Sequence, residues 1–583
     1  MRKSALNLFT SLFTVLIITI PAFVSILNNN YFTMHDDQHI ARLYLLVTGI
    51  QQGSLFPRWV DMLGFGHGYP LFNFYPPLIY YVSSIFYFLG FSLIWSIKLM
   101  IISGFLLSAT GVYLLIKKMI GRLPAILGST VYTYFLYHSI TVYVRGALAE
   151  FFTLAVLPFV FLGLYKLSQK VNWQNSIFLA VSFALLILTH PLIAFPSIIF
   201  IGLFFIFLFI KNHDKLRLSL FSIAGGILSL GLSAFFWLPS MIERKFTFVD
   251  NILTKELANY QDHYVFLSQL WYSPWGYGGS TKGLSDGMTF QLGKVPILLI
   301  VLSLIFGILY LFKRKRIDGI LKTYLFILFS LFVSLFMMTE YSSFIWNGIS
   351  FLWYIQFPWR FLTFVDLFIA IISAYFIYFF KELTETFIKK YSDLLVGLVV
   401  AGVVASMVVK YYPYFKPQKF ISTNDSKRTN FKEIAWRISS TSYEFVPNSV
   451  KTMKTGLGTT TLAIKENELT KDPAEIKAGD AKLTVIKNLF EIKEFGVAAV
   501  IPSVFQLNTY NFPGWQAKLD GKEVKIDDNN DLKLINVQVP AGDHVLSFVF
   551  KNTLVRTLSN YISAVSLAIV LSYLLTSLSK KNK

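Results

Sequence analysis

The chain has 583 residues, of which 55% are hydrophobic, 17% aromatic and 14% charged, with no cysteine. A soluble protein carries about 25% charged residues, and 58 Phe exceed what one globular core holds, since cores stop growing near about 250–300 residues. The composition excludes an ordinary soluble enzyme as well as disulfides, thiolate catalysis and cysteine-held metal centres, while the formal net charge of +20 points to nucleic acid or a membrane surface until its placement is read.

The first apolar run, about Leu6 to Leu27, follows Met1-Arg2-Lys3 and is too long for a signal-peptide core, so it reads as an uncleaved first span. Further runs of about 20 residues fall near 92–116, 123–141, 151–167, 175–190, 192–210, 216–238, 294–312, 320–338, 361–380, 392–410 and 557–578, giving about 12 spans. The stretch Phe74 to Gly90 is short and opens with Pro76-Pro77. If it does not cross, every alternate loop is basic: Arg2-Lys3, Lys117-Lys118-Arg122, Lys166/Lys170, Lys211/Lys215/Arg217, Lys313-Arg314-Lys315-Arg316, Lys381/Lys389/Lys390 and Lys580-Lys581-Lys583 share one side. By the positive-inside rule that side is cytoplasmic, and 74–90 reads as a re-entrant or interfacial helix on the outer side. The net charge is then mostly a topology signal, and no nucleic-acid partner is expected.

The expected architecture is mainly α: a polytopic transmembrane helical bundle over 1–412 with a first outer loop at about 28–91, an extracytoplasmic β-rich domain over 413–556, and a last span with a basic cytoplasmic tail over 557–583. Alternating runs at Thr459–Ile464, Lys482–Ile486, Val497–Val504 and Val545–Phe550, with turns at Asp520-Gly521 and Pro540-Ala541-Gly542, predict a small β-sandwich in the second of these.

The first outer loop begins Met34-His35-Asp36-Asp37-Gln38-His39-Ile40-Ala41-Arg42. If it is helical, His35 and His39 share a face while Asp36 and Asp37 point about 100° apart. One carboxylate then faces a substrate as general base, and the other is held by Arg42 or a metal; solvated charges at a helix cap are the plain alternative. Gly64, Gly66, His67 and Gly68 precede Tyr69-Pro70-Leu71-Phe72-Asn73-Phe74-Tyr75-Pro76-Pro77. Without a following Gly-Lys-Ser/Thr this is no phosphate loop, and a bent aromatic turn suited to stacking on a sugar is the better account.

The arrangement resembles the GT-C glycosyltransferases. More closely, His35 to Pro77 together with Gln356-Phe357-Pro358-Trp359-Arg360-Phe361-Leu362 is similar to the bacterial membrane proteins labelled 6-pyruvoyl-tetrahydropterin-synthase-related, a label that implies no pterin chemistry. The runs Tyr510-Asn511-Phe512-Pro513-Gly514-Trp515-Gln516-Ala517 and Val539-Pro540-Ala541-Gly542-Asp543-His544 resemble the end of lipoteichoic-acid-modifying membrane proteins. The resemblance implies transfer of a sugar, with inversion, from a polyprenyl-phosphate donor to an extracytoplasmic acceptor glycan, polymer or protein at the bacterial plasma membrane. It puts the catalytic base at Asp36 or Asp37, with Asp37 deeper in the motif. Several such enzymes use a divalent cation, Mg or Mn, for which His35, Asp36 and His39 are the candidate ligands; others need none.

A lipid-linked phosphate leaving group needs cationic partners. Arg360 and Arg145 are the candidates, against a role as membrane anchors. Glu150 and Asp366 would be costly in lipid and should face the bundle, a cavity or an Arg partner. His190, ahead of Pro191, and Trp271 and Trp275 in the second outer loop complete the expected cavity wall, with His67, His35 and His39; Asp262 and His263 lie close in sequence. Rival functions are a transporter, flippase or polymerase for lipid-linked glycans, or a non-catalytic envelope assembly protein.

Overall fold

In the computed structural model, residues 2–256, 258–454 and 460–581 are described. In chain order the main helices are α1 (Arg2–Thr19), α2 (His39–Gln51), α3 (Leu78–Phe88), α4 (Leu93–Ile120), α5 (Arg122–Thr133), α6 (Leu136–Ser139), α7 (Leu148–Gln169), α8 (Trp173–Thr189), α9 (Pro191–Lys211), α10 (Lys215–Glu243), α11 (Lys294–Arg314), α12 (Gly319–Met338), α13 (Leu362–Phe387), α14 (Ser392–Tyr411) and α15 (Leu554–Lys581). Among the described residues nine helices are long and apolar enough to cross a membrane, and Phe9–Ala22, Leu78–Phe88 and Trp173–Thr189 are shorter apolar helices. Helices are the expected answer to such runs, because lipid offers backbone N–H and C=O groups no partner. The 11 residues of α3 reach about 16 Å at 1.5 Å per residue, well short of a hydrocarbon core of about 30 Å.

The expected span at 123–141 is not one helix. After α5 the chain turns extended at Phe135, forms the single turn α6, and continues as a π turn over Ile140–Val144. Tyr134 and Tyr137 each find a hydrogen-bond partner on another helix there, at Ile18 O and Glu150.

Two compact units divide the chain. The first comprises Met1–Asp37, Lys98–Leu230 and Asn259–Ser422. Its centre is α13, 94% buried over its apolar window, and α7, 89% buried. Helices α5, α11, α12 and α14 pack on α13; α14, only 22% buried, presents an apolar outer face suited to lipid. The strands β1 (Tyr31–Phe32) and β4 (Phe420–Ile421) pair antiparallel and fasten the loop before α2 to the segment after α14. Lys98 Nζ donates to Asn28 O at 2.6 Å and Asn30 O at 2.5 Å, fixing the same stretch.

The second unit comprises Gln38–Ile97, Gly231–Ala258 and Thr423–Lys583. Its hairpins are β2 (Val60–Met62) with β3 (Gly66–Tyr69) and β5 (Thr452–Lys454) with β6 (Thr460–Leu462). The remaining strands are β7 (Ala474–Ala478), β8 (Ala481–Asn488), β9 (Ile492–Ala499), β10 (Ser503–Tyr510), β11 (Trp515–Leu519), β12 (Lys522–Val524), β13 (Leu534–Val539) and β14 (Gly542–Phe550). They form two antiparallel sheets, β13-β10-β7 and β12-β11-β14-β9-β8. The sheets meet through Phe505 of the smaller one, whose ring lies 5.1 Å from Phe495 and 5.5 Å from Phe548 of the larger, as inward-facing residues of a sandwich do. Asp520-Gly521, both at positive φ, form the β11–β12 turn, and Pro540-Ala541 passes the chain from one sheet to the other. The run 497–504 differs from expectation, because the chain turns at Val500–Pro502 between β9 and β10. Thr459 of the expected run 459–464 and Lys583 of the basic tail lie outside the described residues.

Candidate functional site

Glu150, in the first turn of α7 and 1% exposed, is the centre of a polar cluster within the first unit. Its Oε2 accepts from Arg145 NH1 at 2.8 Å and from Arg360 Nε at 3.2 Å, and its Oε1 accepts from the Tyr137 hydroxyl. His190, the residue joining α8 to α9, lies within electrostatic reach of Glu150, Arg360 and Arg145. Two arginines on one buried carboxylate leave one positive charge within that trio, which an anion or the nearby Asp36 can balance.

Local structure places each group. Arg145 closes the π turn, its N–H bonding Ile140 O at 2.8 Å, and Gly146 follows at φ +65. A Cβ at Gly146 would lie 2.4 Å from Met34 Sδ, so only glycine lets the loop before α2 approach here. That loop is held by two backbone bonds, His35 N to Val144 O at 3.1 Å and Asp36 N to Arg145 O at 2.7 Å. Arg360 lies in the 3-10 turn Pro358–Phe361 ahead of α13. Its NH1 donates to Ile355 O at 2.8 Å and to Gln356 Oε1 at 2.6 Å, and Gln356 sits at φ +68, a conformation that costs a non-glycine residue about 1–3 kcal/mol. The bonds to Arg360 help to hold it.

The two arginines are not equivalent. Arg360 uses NH1 and Nε on protein acceptors, whereas among the described residues Arg145 directs only NH1 to one, Glu150. A guanidinium carries five N–H donors, so most of those of Arg145 remain for a ligand. Its flat face lies 4.4 Å from the Trp359 ring. Trp359 is in turn held by Nε1 donating to Ser280 Oγ at 3.0 Å, with Ser280 Oγ 2.7 Å from His263 Nδ1.

Residues His35–Gln38 form a turn and α2 begins at His39, so the shared helical face expected for His35 and His39 is absent. His35 is exposed, and its Nδ1 lies 2.9 Å from Asp36 Oδ1; that hydrogen bond holds its pKa above the usual imidazole value, against partial burial. Asp36 is half-exposed and within electrostatic reach of Arg145; Asp37 is half-buried. His39 belongs to the second unit, buried with Nδ1 3.1 Å from the Tyr80 hydroxyl. With one histidine turned to Tyr80, the trio His35, Asp36 and His39 does not fit a cation, and no group of three or more such side chains positioned to hold a metal occurs among the described residues.

Other expected residues lie elsewhere. His67, on β3 in the second unit, is buried with Nδ1 3.2 Å from Asn508 O, and burial pushes its pKa down to about 4. Trp271 is exposed at the end of a short helix under the Lys294 ammonium, 3.2 Å from its ring centroid. Trp275 packs on Tyr414 at 4.9 Å. Asp366 is fully buried, its Oδ2 2.9 Å from Nδ1 of the equally buried His138, so α6 and α13 face each other there through a polar pair without hydrogen-bond geometry. Tyr137 and His138 escaped sequence reasoning because they sit inside an apolar run; their adjacency within an expected span was the available signal.

A family model described as 6-pyruvoyl-tetrahydropterin synthase related domain, membrane protein, matches residues 72–418. An uncharacterized protein of Lactococcus lactis subsp. cremoris is 28% identical over 236 residues, 39% of this chain and 38% of that protein; the match thus spans well under two thirds of the relative. Among solved structures, the chain is similar to the mycobacterial arabinofuranosyltransferase AftD, with a TM-score of 0.46 and 11% identity over 71% of this chain and 27% of that one. It is also similar to the Archaeoglobus fulgidus oligosaccharyltransferase in complex with Zn and sulfate, with a TM-score of 0.36 and 13% identity over 71% of this chain and 54% of that one.

Proposed function

The chain belongs to the 6-pyruvoyl-tetrahydropterin synthase related family of membrane proteins, and we propose that this member is a glycosyltransferase moving a sugar from a polyprenyl-phosphate donor to an acceptor outside a bacterial plasma membrane. One observation carries the proposal: an arginine with spare donors, Arg145, is clamped on a buried carboxylate beside the half-exposed Asp36. A cation to hold the phosphate and a base to take the proton are what displacement of a phosphate leaving group by a hydroxyl requires.

In this mechanism Asp36 takes the proton of the acceptor hydroxyl as the oxygen attacks the anomeric carbon. The bond from that carbon to the phosphate oxygen breaks on the opposite face, inverting the centre, and the polyprenyl phosphate leaves with its charge held by Arg145. Asp36 serves as base rather than Asp37 because its side chain is 47% exposed whereas Asp37 buries its Oδ1, and because its backbone is tied to Arg145. Glu150 and Arg360 position Arg145, and His190 lines the same cluster. The outer β-rich segment, about 413–556, binds the acceptor or supports the site.

The test is release of free polyprenyl phosphate from a panel of polyprenyl-phosphate sugars by the purified full-length protein. Turnover of one donor, lost in Asp36→Asn at unchanged folding, is the expected result. No turnover of any donor, or full activity in the Asp36→Asn, Asp37→Asn double variant, sinks the proposal.

A further inference from the structure

A cavity lies at the other end of the helices that carry the arginine cluster. It encloses about 230 Å³ and is lined by Ser168 and Gln169 at the end of α7, Lys211 and Asn212 at the end of α9, and Thr323 in the first turns of α12, with Phe207 among its apolar walls. From Glu150 to Gln169 along α7 is about 28 Å at 1.5 Å per residue, so the cavity shares nothing with the arginine cluster.

The lining is polar on one part and apolar on another, and the charges acting on its cation are Lys322 and, opposed to it, Asp318. Lys211 is the charged residue of the lining; no carboxylate contributes to it. Lys211 Nζ donates to Gly319 O and to Thr323 Oγ1, both at 3.0 Å, and lies 4.0 Å from the centroid of the Phe207 ring. These contacts fix the ammonium and use two of its three N–H groups. Asn212 Nδ2 donates to Ser168 O at 2.8 Å and closes the α7–α9 corner. The helix ends around it carry Lys166, Lys170, Lys215, Arg217 and Lys322 against Asp214 and Asp318, a basic excess on this side. Basic pockets between helices on that side suit anionic headgroups, and the apolar wall suits the glycerol and first methylenes of a lipid better than a fully hydrated ion.

We propose that this cavity binds the phosphate headgroup of an anionic phospholipid from the basic-side leaflet, with the third Lys211 N–H donating to a phosphate oxygen. The proposal does not depend on the transferase reading, and its test needs no turnover. The full-length protein in detergent is titrated with short-chain phosphatidylglycerol, with phosphatidylcholine of the same chain length, and with inorganic phosphate, following retained adducts by native mass spectrometry. Phosphatidylglycerol should bind more tightly than phosphatidylcholine, about fivefold more weakly to Lys211→Gln, and normally to Lys211→Arg. Gln169→Glu, which adds a like charge to the wall without touching the Lys211 bonds, should weaken it in the same direction. Inorganic phosphate competing at equal concentration would reassign the anion site to a free phosphate and overturn the lipid. Equal binding of both lipids, or no loss in either Lys211→Gln or Gln169→Glu, would overturn the site.

Discussion

Among the described residues each unit holds a buried carboxylate in an arginine network, Glu150 bonded by two arginines and Glu243 by one, and the two differ in what is left over. In the second unit Glu243, at the end of α10, accepts from Arg556 Nε at 2.9 Å, Asn73 Nδ2 at 2.8 Å and Thr553 Oγ1 at 2.6 Å. Arg556, fully buried, also donates to Pro513 O, and Arg58 donates to Asn73 Oδ1, Phe235 O and Asn560 Oδ1. Every arm of that network ends on protein, and it joins the segment between α2 and α3 to α10 and α15. In the first unit Glu150 orients Arg145 while leaving most of its donors unused, next to a half-exposed carboxylate. A saturated network holds structure; one with donors left over and access to solvent is able to bind.

The comparison breaks most sharply at the site itself. Asp36→Asn should lower transfer by about 10²–10⁴-fold, the usual size of a general-base contribution, with no change in thermal unfolding. Arg145→Ala should lower kcat by about 10²–10³-fold, as loss of one transition-state donor does, whereas Arg360→Ala should also lower stability, because its bonds to Ile355 and Gln356 are structural. Steady-state kinetics beside thermal unfolding in detergent separates the two arginines, and equal stability loss in both would remove the distinction between them.

At Glu243 the expectation reverses. Glu243→Ala leaves Arg556 buried with an uncompensated charge, a change that costs about 3–5 kcal/mol, and Arg556→Ala should do the same from the other side. Both should lower the unfolding temperature, and the protein that remains folded should keep its kcat. A variant at Glu243 that abolishes transfer while unfolding normally would contradict a purely structural role.

Much of this was legible in the chain because lipid is a demanding solvent: long apolar runs, basic loop ends and the β-rich C-terminal segment each have one economical explanation, and the long helices and the two-sheet sandwich follow it. The break at 134–144 was not legible, since hydropathy averages over Tyr137 and His138 and cannot see that their partners, Glu150 and Asp366, are internal. Arg145, Arg360, Glu150 and His190 were individually visible as polar residues at span ends. That they meet on one carboxylate depends on where the π turn and the 3-10 turn before α13 point, which no spacing encodes. The helical pairing of His35 with His39 failed because the segment turns at 35–38 and only then becomes helix, sending His39 to Tyr80.

The smallest expected effect concerns His35, whose pKa is raised above about 6.5 by its hydrogen bond to Asp36. Because the folded value is the higher one, the stability this pair contributes is fully present below about 6.5 and is lost as pH rises through the folded pKa. With side-chain exposures of 66% and 47%, solvent screening keeps it under about 1 kcal/mol. Catalysis should feel the same titration with the opposite sign: the imidazolium draws on the carboxylate that must act as base, so the rate should climb as His35 loses its proton. The climb should be under about fivefold, the rate equivalent of that energy, and should disappear from the pH profile of His35→Ala while the unfolding temperature hardly moves. A profile unchanged in His35→Ala would mean that Asp36 is not the group accepting the proton, and would move the base to Asp37.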